Sequence, residues 1–343
     1  MNIKLSIFIL VASVGSLLSS CGNAHKQPEA APADSLALKQ PEELKQLNAQ
    51  LKADPRNAEL YHKRALYYYS AGKFSQGLAD MLIAVNTDST KSAYFVTLSD
   101  LYFVDNQTSK TKAALEKALQ LDDKNVEALL KLAELYLYVQ NFELSIKYIN
   151  MALKQDKYNA KAYFMKGMNY KELGDTARAI SSMQTAVEQD QMYYHAYIQL
   201  GILCAAKKNP LAVEYFKNAL RIRPKSSEAL YSLGKYYQDK EELENAMKTY
   251  TELVGIEDKN INAYYNMGVI QLINLKKYNE AINYFSTAIK IAPKYVNAYY
   301  ARGLSYQALG NIKMAVADFQ ACTSINPKFE PAHAALKQLG KNK

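Results

Sequence analysis

Small and apolar residues recur along this chain at a nearly fixed interval. One series has gaps of 34, 34, 34, 34, 33, 34 and 35 residues, and its members are Ala65, Ser99, Ala133, Gly167, Gly201, Gly234, Gly268 and Gly303. A second series stays in phase with it and consists of Ala84, Ala118, Ala152, Ala186, Ala219, Leu253, Ala288 and Cys322. Two series in phase indicate about eight copies of one unit, each of which buries its apolar face against its neighbours.

Each unit has the pattern of two helices joined by a turn. In the fourth unit, residues 160–173 carry apolar side chains at helical spacing, a Gly-Asp pair interrupts them, and residues 177–189 resume the spacing. We expect Gly167 and Ala186 to lie where the paired helices cross, because a close crossing leaves room for small side chains only. Larger residues such as Tyr163 would fill the remaining space.

The units resemble the tetratricopeptide repeat, whose pattern is aromatic-x2-Leu-Gly-x2-Tyr, Ala-x3-Phe and then Pro. The eighth unit shows this pattern most fully, at Tyr299, Gly303, Tyr306, Ala315, Phe319 and Pro327. The resemblance covers residues 58–329 and implies an all-α fold, a right-handed α-solenoid of about eight helix-turn-helix repeats. Arg64, Lys166 and Arg302 replace the usual Leu.

Two units depart from the common length. The fifth is one residue short near Lys207–Pro210, and the seventh is one residue long near Leu275–Lys277. Open arrays also need solvated ends. We expect residues 41–57 to form an N-terminal capping helix with its turn, and residues 330–343 to form a C-terminal capping helix.

The first 40 residues do not follow the repeat. Residues 1–20 have the pattern of a secretory signal, with Lys4 before an apolar run that is short for a membrane span. The sequence Leu18-Ser-Ser-Cys21 resembles the bacterial lipobox, which implies that Cys21 is lipidated. The alternative is a simple secreted protein with an unrelated cysteine. Residues 21–40 are rich in Ala and Pro and predict a flexible tether.

The residue after Cys21 is Gly22 rather than the Asp that resembles an inner-membrane retention signal. We therefore expect an outer membrane lipoprotein that faces the periplasm. The net charge is +9, from 42 basic and 33 acidic residues. Export argues against nucleic acid as the partner of this basic chain. Cys204 and Cys322 fall at packed repeat positions, where we expect buried, unpaired thiols.

The sequence offers no convincing catalytic constellation, so we predict no enzymatic activity, no cofactor and no metal. Ser232 and Lys235 have the spacing of a penicillin-binding motif, but its companion motifs are absent. The four histidines, of which His62 and His195 lie in the repeats, are scattered along the chain. A metal site needs clustered ligands. An unrecognised site built across several repeats remains an alternative.

In the family that the chain resembles, the first helix of each unit lines a concave groove. Carried onto this sequence, the resemblance implies a partner-binding groove that includes Tyr69, Phe103, Leu137, Tyr138, Phe164, Ile198, Tyr231, Tyr265 and Tyr300. Aromatic side chains along such a path suit an apolar or amphipathic partner segment. The alternative is that some of the rings lie on neighbouring repeats and complete the core.

Together these patterns predict a lipid-anchored scaffold that binds envelope proteins or peptide segments through its groove. The membrane would be contacted through the Cys21 lipid, and the oligomeric state stays open. A second hypothesis is a glycan-binding lipoprotein of a nutrient uptake system. Such proteins usually add long insertions and Trp platforms, whereas this chain has short loops and no Trp.

Overall fold

The computed structural model describes residues 41–341, and all the regular structure within them is helical. Helix α1 (Glu42–Ala53) is followed by eight helix pairs and by α18 (Glu330–Lys341). The first helices of the pairs are α2 (Ala58–Ser70), α4 (Ser92–Val104), α6 (Val126–Tyr138), α8 (Ala160–Glu172), α10 (Tyr194–Ala206), α12 (Ser227–Asp239), α14 (Ile261–Val269) and α16 (Val296–Ala308). The second helices are α3 (Phe74–Thr87), α5 (Thr108–Leu121), α7 (Phe142–Gln155), α9 (Thr176–Gln189), α11 (Leu211–Ile222), α13 (Leu243–Ile256), α15 (Tyr278–Ile291) and α17 (Ile312–Ile325).

Short polar side chains define where a pair ends and the next begins. Asn125 caps α6 by accepting a hydrogen bond from the Ala128 amide at 2.9 Å. At the end of α7, the Asp156 carboxylate accepts from the Tyr158 amide two residues on, at 3.1 Å. Such local bonds close a tight turn, because they satisfy backbone amides that the helices leave free.

The turn inside each pair uses one residue with left-handed backbone. These residues have φ between 53° and 77°, and they are Gly72, Asn106, Gln140, Gly174, Lys208, Glu241, Lys276 and Gly310. Three are glycine, which adopts this conformation without steric cost, and five carry a side chain. One type of turn therefore joins the two helices in each of the eight pairs.

The fifth and seventh repeats, which differ in length from the others, differ near the turn inside the helix pair. The short fifth repeat has a second helix of 12 residues that begins directly after Pro210, whereas the other second helices have 14. This confirms the predicted place of the deletion. The extra residue of the seventh repeat lies earlier than predicted. It is taken up as a π-helical turn over Ile270–Asn274, so the first helix is lengthened and the turn after it is of normal length.

The core alternates small and large side chains across each pair. A Cβ added at Gly268 would lie 2.5 Å from Cε1 of Phe285 on the partner helix. Gly303 has the same relation to Phe319, at 2.6 Å. In the third repeat, Ala133 takes the glycine position and the narrower Ile149 takes the ring position, both fully buried. The small series therefore marks the helix crossings, as the sequence predicted.

Successive pairs stack so that first helices contact each other, as α2 does with α4, α6 with α8 and α10 with α12. We call the side of the array lined by the first helices the inner face. Leu44, Leu47 and Leu51 of α1 are buried at one end of the array, and Ala332 and Leu339 of α18 are buried at the other.

Within residues 41–341, no helix combines the length and the apolar character needed to cross a bilayer. The predicted signal at 1–20, the lipidation at Cys21 and the tether at 21–40 all lie outside the described residues.

Candidate partner-binding surface

Polar side chains on the inner face connect first helices of consecutive repeats. His62 Nε2 lies 2.9 Å from Thr97 Oγ1, and the Tyr94 hydroxyl donates to Glu59 at 3.1 Å. Further along, Lys171 Nζ donates to the side-chain oxygen of Gln199 at 3.0 Å. These bonds fix the relative position of neighbouring repeats, so the inner face is pre-formed before any partner binds.

An ion pair connects the second and third repeats in the same way. Lys131 Nζ donates to Asp100 at 2.6 Å and lies 3.6 Å from Glu127, and the side chains of Lys131 and Asp100 are 22% and 27% exposed. Burial raises the pKa of Asp100, and Lys131 opposes this effect. Burial alone would lower the pKa of Lys131, but Asp100 and the nearby carboxylates raise it. The pair thus joins two first helices through a short polar contact that water reaches only in part.

Four of the predicted groove residues form an apolar row beside this ion pair. They lie in the last turn of the first helices of repeats one to three and consist of Tyr69, Phe103, Leu137 and Tyr138. Tyr138 is 54% exposed and Tyr69 is 36% exposed, whereas Phe103 and Leu137 are half-buried. The rings of Phe103 and Tyr138 meet edge to face at 5.8 Å. We call these four residues the inner row.

The predicted groove residues near the start of the first helices are placed differently. Tyr265 is half-buried, with its ring 5.7 Å from Phe285 in the core and 5.3 Å from Tyr295. Tyr300 packs on Phe319 at 5.6 Å in the same way. Tyr231 and Phe164 are also half-buried, against Tyr250 at 6.3 Å and Tyr193 at 5.2 Å. These half-buried rings pack on neighbouring rings in the way that the alternative interpretation described, and their contact with a partner stays a prediction.

Ile198 requires a correction. It occupies the same repeat position as Tyr265 but is only 1% exposed, and Val96 and Leu130 at that position are 3% and 5% exposed. This position faces the gap between consecutive repeats, so an aliphatic side chain there is enclosed. Ile198 is a core residue and does not line a partner-binding surface.

The groups capable of chemistry are dispersed or buried. Among residues 41–341, no three His, Cys, Asp or Glu side chains converge on a point where a metal ion would fit. Cys204 and Cys322 are buried and unpaired, as predicted, and burial raises the pKa of the Cys322 thiol to about 11. Thiols of this kind are poor nucleophiles. Lys235 binds Asp239 one turn further along its own helix, rather than activating Ser232.

Comparison with known proteins agrees with this architecture. Residues 160–191, 227–260 and 296–329 match a family model described as "Tetratricopeptide repeat", and residues 271–310 match one described as "TPR repeat". The C-terminal part of a TPR repeat-containing protein from Cytophaga hutchinsonii superposes with a TM-score of 0.62 at 19% identity, over 70% of this chain and 99% of that one. A tetratricopeptide repeat protein from Parabacteroides merdae gives 0.50 at 17% identity, over 72% and 98%.

Curated relatives match through parts of their length. Human DnaJ homolog subfamily C member 7 is 24% identical over 296 residues, 78% of this chain and 60% of that protein. Its Dictyostelium discoideum homologue is 29% identical over 136 residues, and rat serine/threonine-protein phosphatase 5 is 26% identical over 117 residues. The last two matches cover 35% and 34% of this chain. The chain spans about a quarter of the length of each of these two proteins, 25% and 23%.

Proposed function

Because this chain is a tetratricopeptide repeat protein, we propose that it is a non-catalytic scaffold that binds a protein segment along its inner face. The observation that carries the proposal is the inner row. Its exposed side chains, Tyr138 and Tyr69, lie on a surface where hydrogen bonds already join the first helices of consecutive repeats. A pre-formed surface loses little conformational freedom on binding. An extended or helical segment would contact several repeats at once.

The inner row and the ion pair beside it suggest how a segment would be recognised. Tyr138 and Phe103 offer apolar contact area with few rotatable bonds, which suits apolar side chains of the partner. Lys131 and Asp100 already satisfy each other, so they contribute fixed polar contacts rather than free charge. We expect apolar contacts to dominate affinity and the polar groups to set the register of the segment.

Photo-crosslinking in cells tests this surface. A photoreactive residue is placed at Tyr138, and a control is placed at Tyr158, which is 64% exposed but lies in the turn between a second helix and the next first helix. We expect a protein to be captured from Tyr138 and not from Tyr158. The captured protein, once purified, should bind the Tyr138→Ala variant at least about tenfold more weakly. Capture of the same proteins from both positions would contradict the proposal.

Binding to an oligosaccharide on a glycan array would favour the glycan-binding alternative.

We also propose that the scaffold is anchored in the cell envelope through a lipid on Cys21, with residues 21–40 as the tether. The support is the apolar run followed by Leu18-Ser-Ser-Cys21. Metabolic labelling with a palmitate analogue should mark the wild-type chain and not the Cys21→Ser variant. Membrane fractionation with protease accessibility in intact cells tests the proposed outer-membrane, periplasm-facing location. Labelling that survives the substitution would exclude this anchor.

A further inference from the structure

The turns inside the helix pairs form one edge of the array, and several of their tips are apolar. The residue just before the left-handed residue is Val139, Leu173, Leu275 and Leu309 in repeats three, four, seven and eight. These side chains are 48%, 53%, 40% and 44% exposed. Leu275 and Leu309 hold equivalent places in the turns of two consecutive repeats.

The π-helical turn enlarges this apolar area in the seventh repeat. Ile273 in this turn is 64% exposed, which is among the highest values for an apolar side chain in the described residues. In the eighth repeat Ile312, which follows the turn, is 40% exposed. Ile273, Leu275, Leu309 and Ile312 therefore form an exposed aliphatic patch across two adjacent turns, which we call the turn patch. Contiguous apolar surface of this kind commonly marks an interaction site.

Lysines surround the turn patch. Lys276 and Lys277 lie in the turn of the seventh repeat and Lys313 lies at the start of α17, and all three are exposed. In the part of the chain that the structure describes, none of these ammonium groups forms an ion pair with a carboxylate. The carboxylates nearest in sequence are Glu280 for Lys276 and Lys277, and Asp318 for Lys313. Positive charge at the patch is thus available to a partner.

We propose that the turn patch docks on a membrane surface that contains anionic lipids. Three of its side chains lie in or next to the turns, and Ile273 lies beside them in the last turn of the lengthened first helix. Exposed aliphatic side chains in this arrangement suit a yielding surface that closes around them. Aliphatic side chains enter the boundary between headgroups and acyl chains, while lysines bind the lipid phosphates. The acidic turn of the sixth repeat, with Glu241 and Glu242, bounds the patch on one side. This contact uses neither the residues of the inner row nor any lipid on Cys21.

A single introduced Trp tests the proposal at the patch itself, because the chain contains none. Leu309→Trp and the matched control Leu173→Trp are made in full chains that also carry Cys21→Ser, which removes any lipid on that residue. The two leucines hold equivalent turn positions with similar exposure, but the control turn has Thr176 where the patch has Ile312, and its Asp175 forms an ion pair with Arg178. Vesicles contain brominated phosphatidylcholine, alone or mixed with phosphatidylglycerol.

We expect the indole at position 309 to shift to the blue and to be quenched by the mixed vesicles, and the indole at position 173 to stay unchanged. Adding Lys276→Gln and Lys277→Gln to the Leu309→Trp chain should raise the lipid concentration at half-quenching about tenfold. Far-UV circular dichroism confirms that each variant is folded. Absence of quenching at 309, equal quenching at both sites, or equal quenching by neutral and anionic vesicles would each overturn the proposal.

Discussion

Arg302 donates from Nε and Nη2 to the two carboxylate oxygens of Asp318, each at 2.8 Å, and so joins the two helices of the eighth repeat. Its Nη1 also donates to Ser286 Oγ at 3.0 Å on the second helix of the preceding repeat. In the first repeat, Arg64 makes the same bidentate contact with Asp80, at 2.7 and 2.8 Å, and its Nη1 donates to Asn48 Oδ1 of α1 at 2.7 Å. One side chain in each terminal repeat therefore ties three helices together.

We expect Arg302→Leu to destabilise the chain by about 3 kcal/mol. The Asp318 side chain is 6% exposed, and the substitution leaves its carboxylate buried without its partner. The matched control is Arg302→Leu with Asp318→Ala, which copies the Leu98 and Ala114 found at these positions in the second repeat. Urea unfolding followed by far-UV circular dichroism should place this double variant close to wild type. Equal losses in both variants would show that packing, and not the charge, is responsible.

Gly268→Ala should destabilise the chain by roughly 1–3 kcal/mol, because the new methyl group would press on the Phe285 ring. The same substitution in a Phe285→Leu background should cost less, since a smaller side chain leaves room for the methyl group. This double-mutant cycle measures whether the two positions are coupled through size. Identical costs in the two backgrounds would contradict the coupling.

The fold could be predicted from the sequence because the evidence for it is repeated. A small residue recurs at the helix crossing in eight copies, so a departure at one position does not hide the period. Each copy also predicts the same pair of helices independently. The Arg-Asp pairing was also visible in principle. Arg64 and Asp80 have the same 16-residue spacing as Arg302 and Asp318, at the same place in the repeat. The replacement of Leu by Arg does not by itself indicate an ion pair, whereas the shared spacing to an Asp does.

The site was less accessible to prediction, for a physical reason. A side chain near the start of a first helix is enclosed or exposed according to the size of its neighbours in the next repeat, which residue type alone does not reveal. Ile198 and Tyr265 share a position, yet one is fully enclosed and the other half-buried. The length of the seventh repeat likewise revealed an insertion but not that a π-helical turn absorbs it. Both outcomes depend on packing between repeats.

Glu241→Gly should stabilise the chain by roughly 0.5–1 kcal/mol. Glu241 has φ of 59°, a conformation that is strained for a residue with a Cβ and free of strain for glycine. The gain exceeds the entropy that glycine adds to the unfolded chain. The reciprocal control is Gly174→Ala, where φ is 77° and a Cβ would meet no neighbour, so backbone strain alone should lower stability. Thermal melts followed by circular dichroism check both, and a stabilising Gly174→Ala would refute this account of the turn.

Stability should fall steeply as pH rises from about 10 to about 12. Burial raises the pKa of Tyr94, Tyr193 and Tyr295 to about 12, with a further rise for Tyr94 from its hydrogen bond to Glu59. Phenols in the unfolded chain ionise near pH 10. The folded chain therefore holds these protons more tightly than the unfolded chain. The contribution of the three phenols to the free energy of unfolding is complete below pH 10 and is lost as pH rises to the folded pKa. Melting temperature measured against pH, with absorbance at about 295 nm reporting phenolate, checks the prediction.

Tyr193→Phe should reduce the slope of melting temperature against pH in the alkaline range, whereas Tyr158→Phe, at an exposed site, should leave that slope unchanged. A melting temperature that is constant across this range would show that the buried phenols do not resist ionisation.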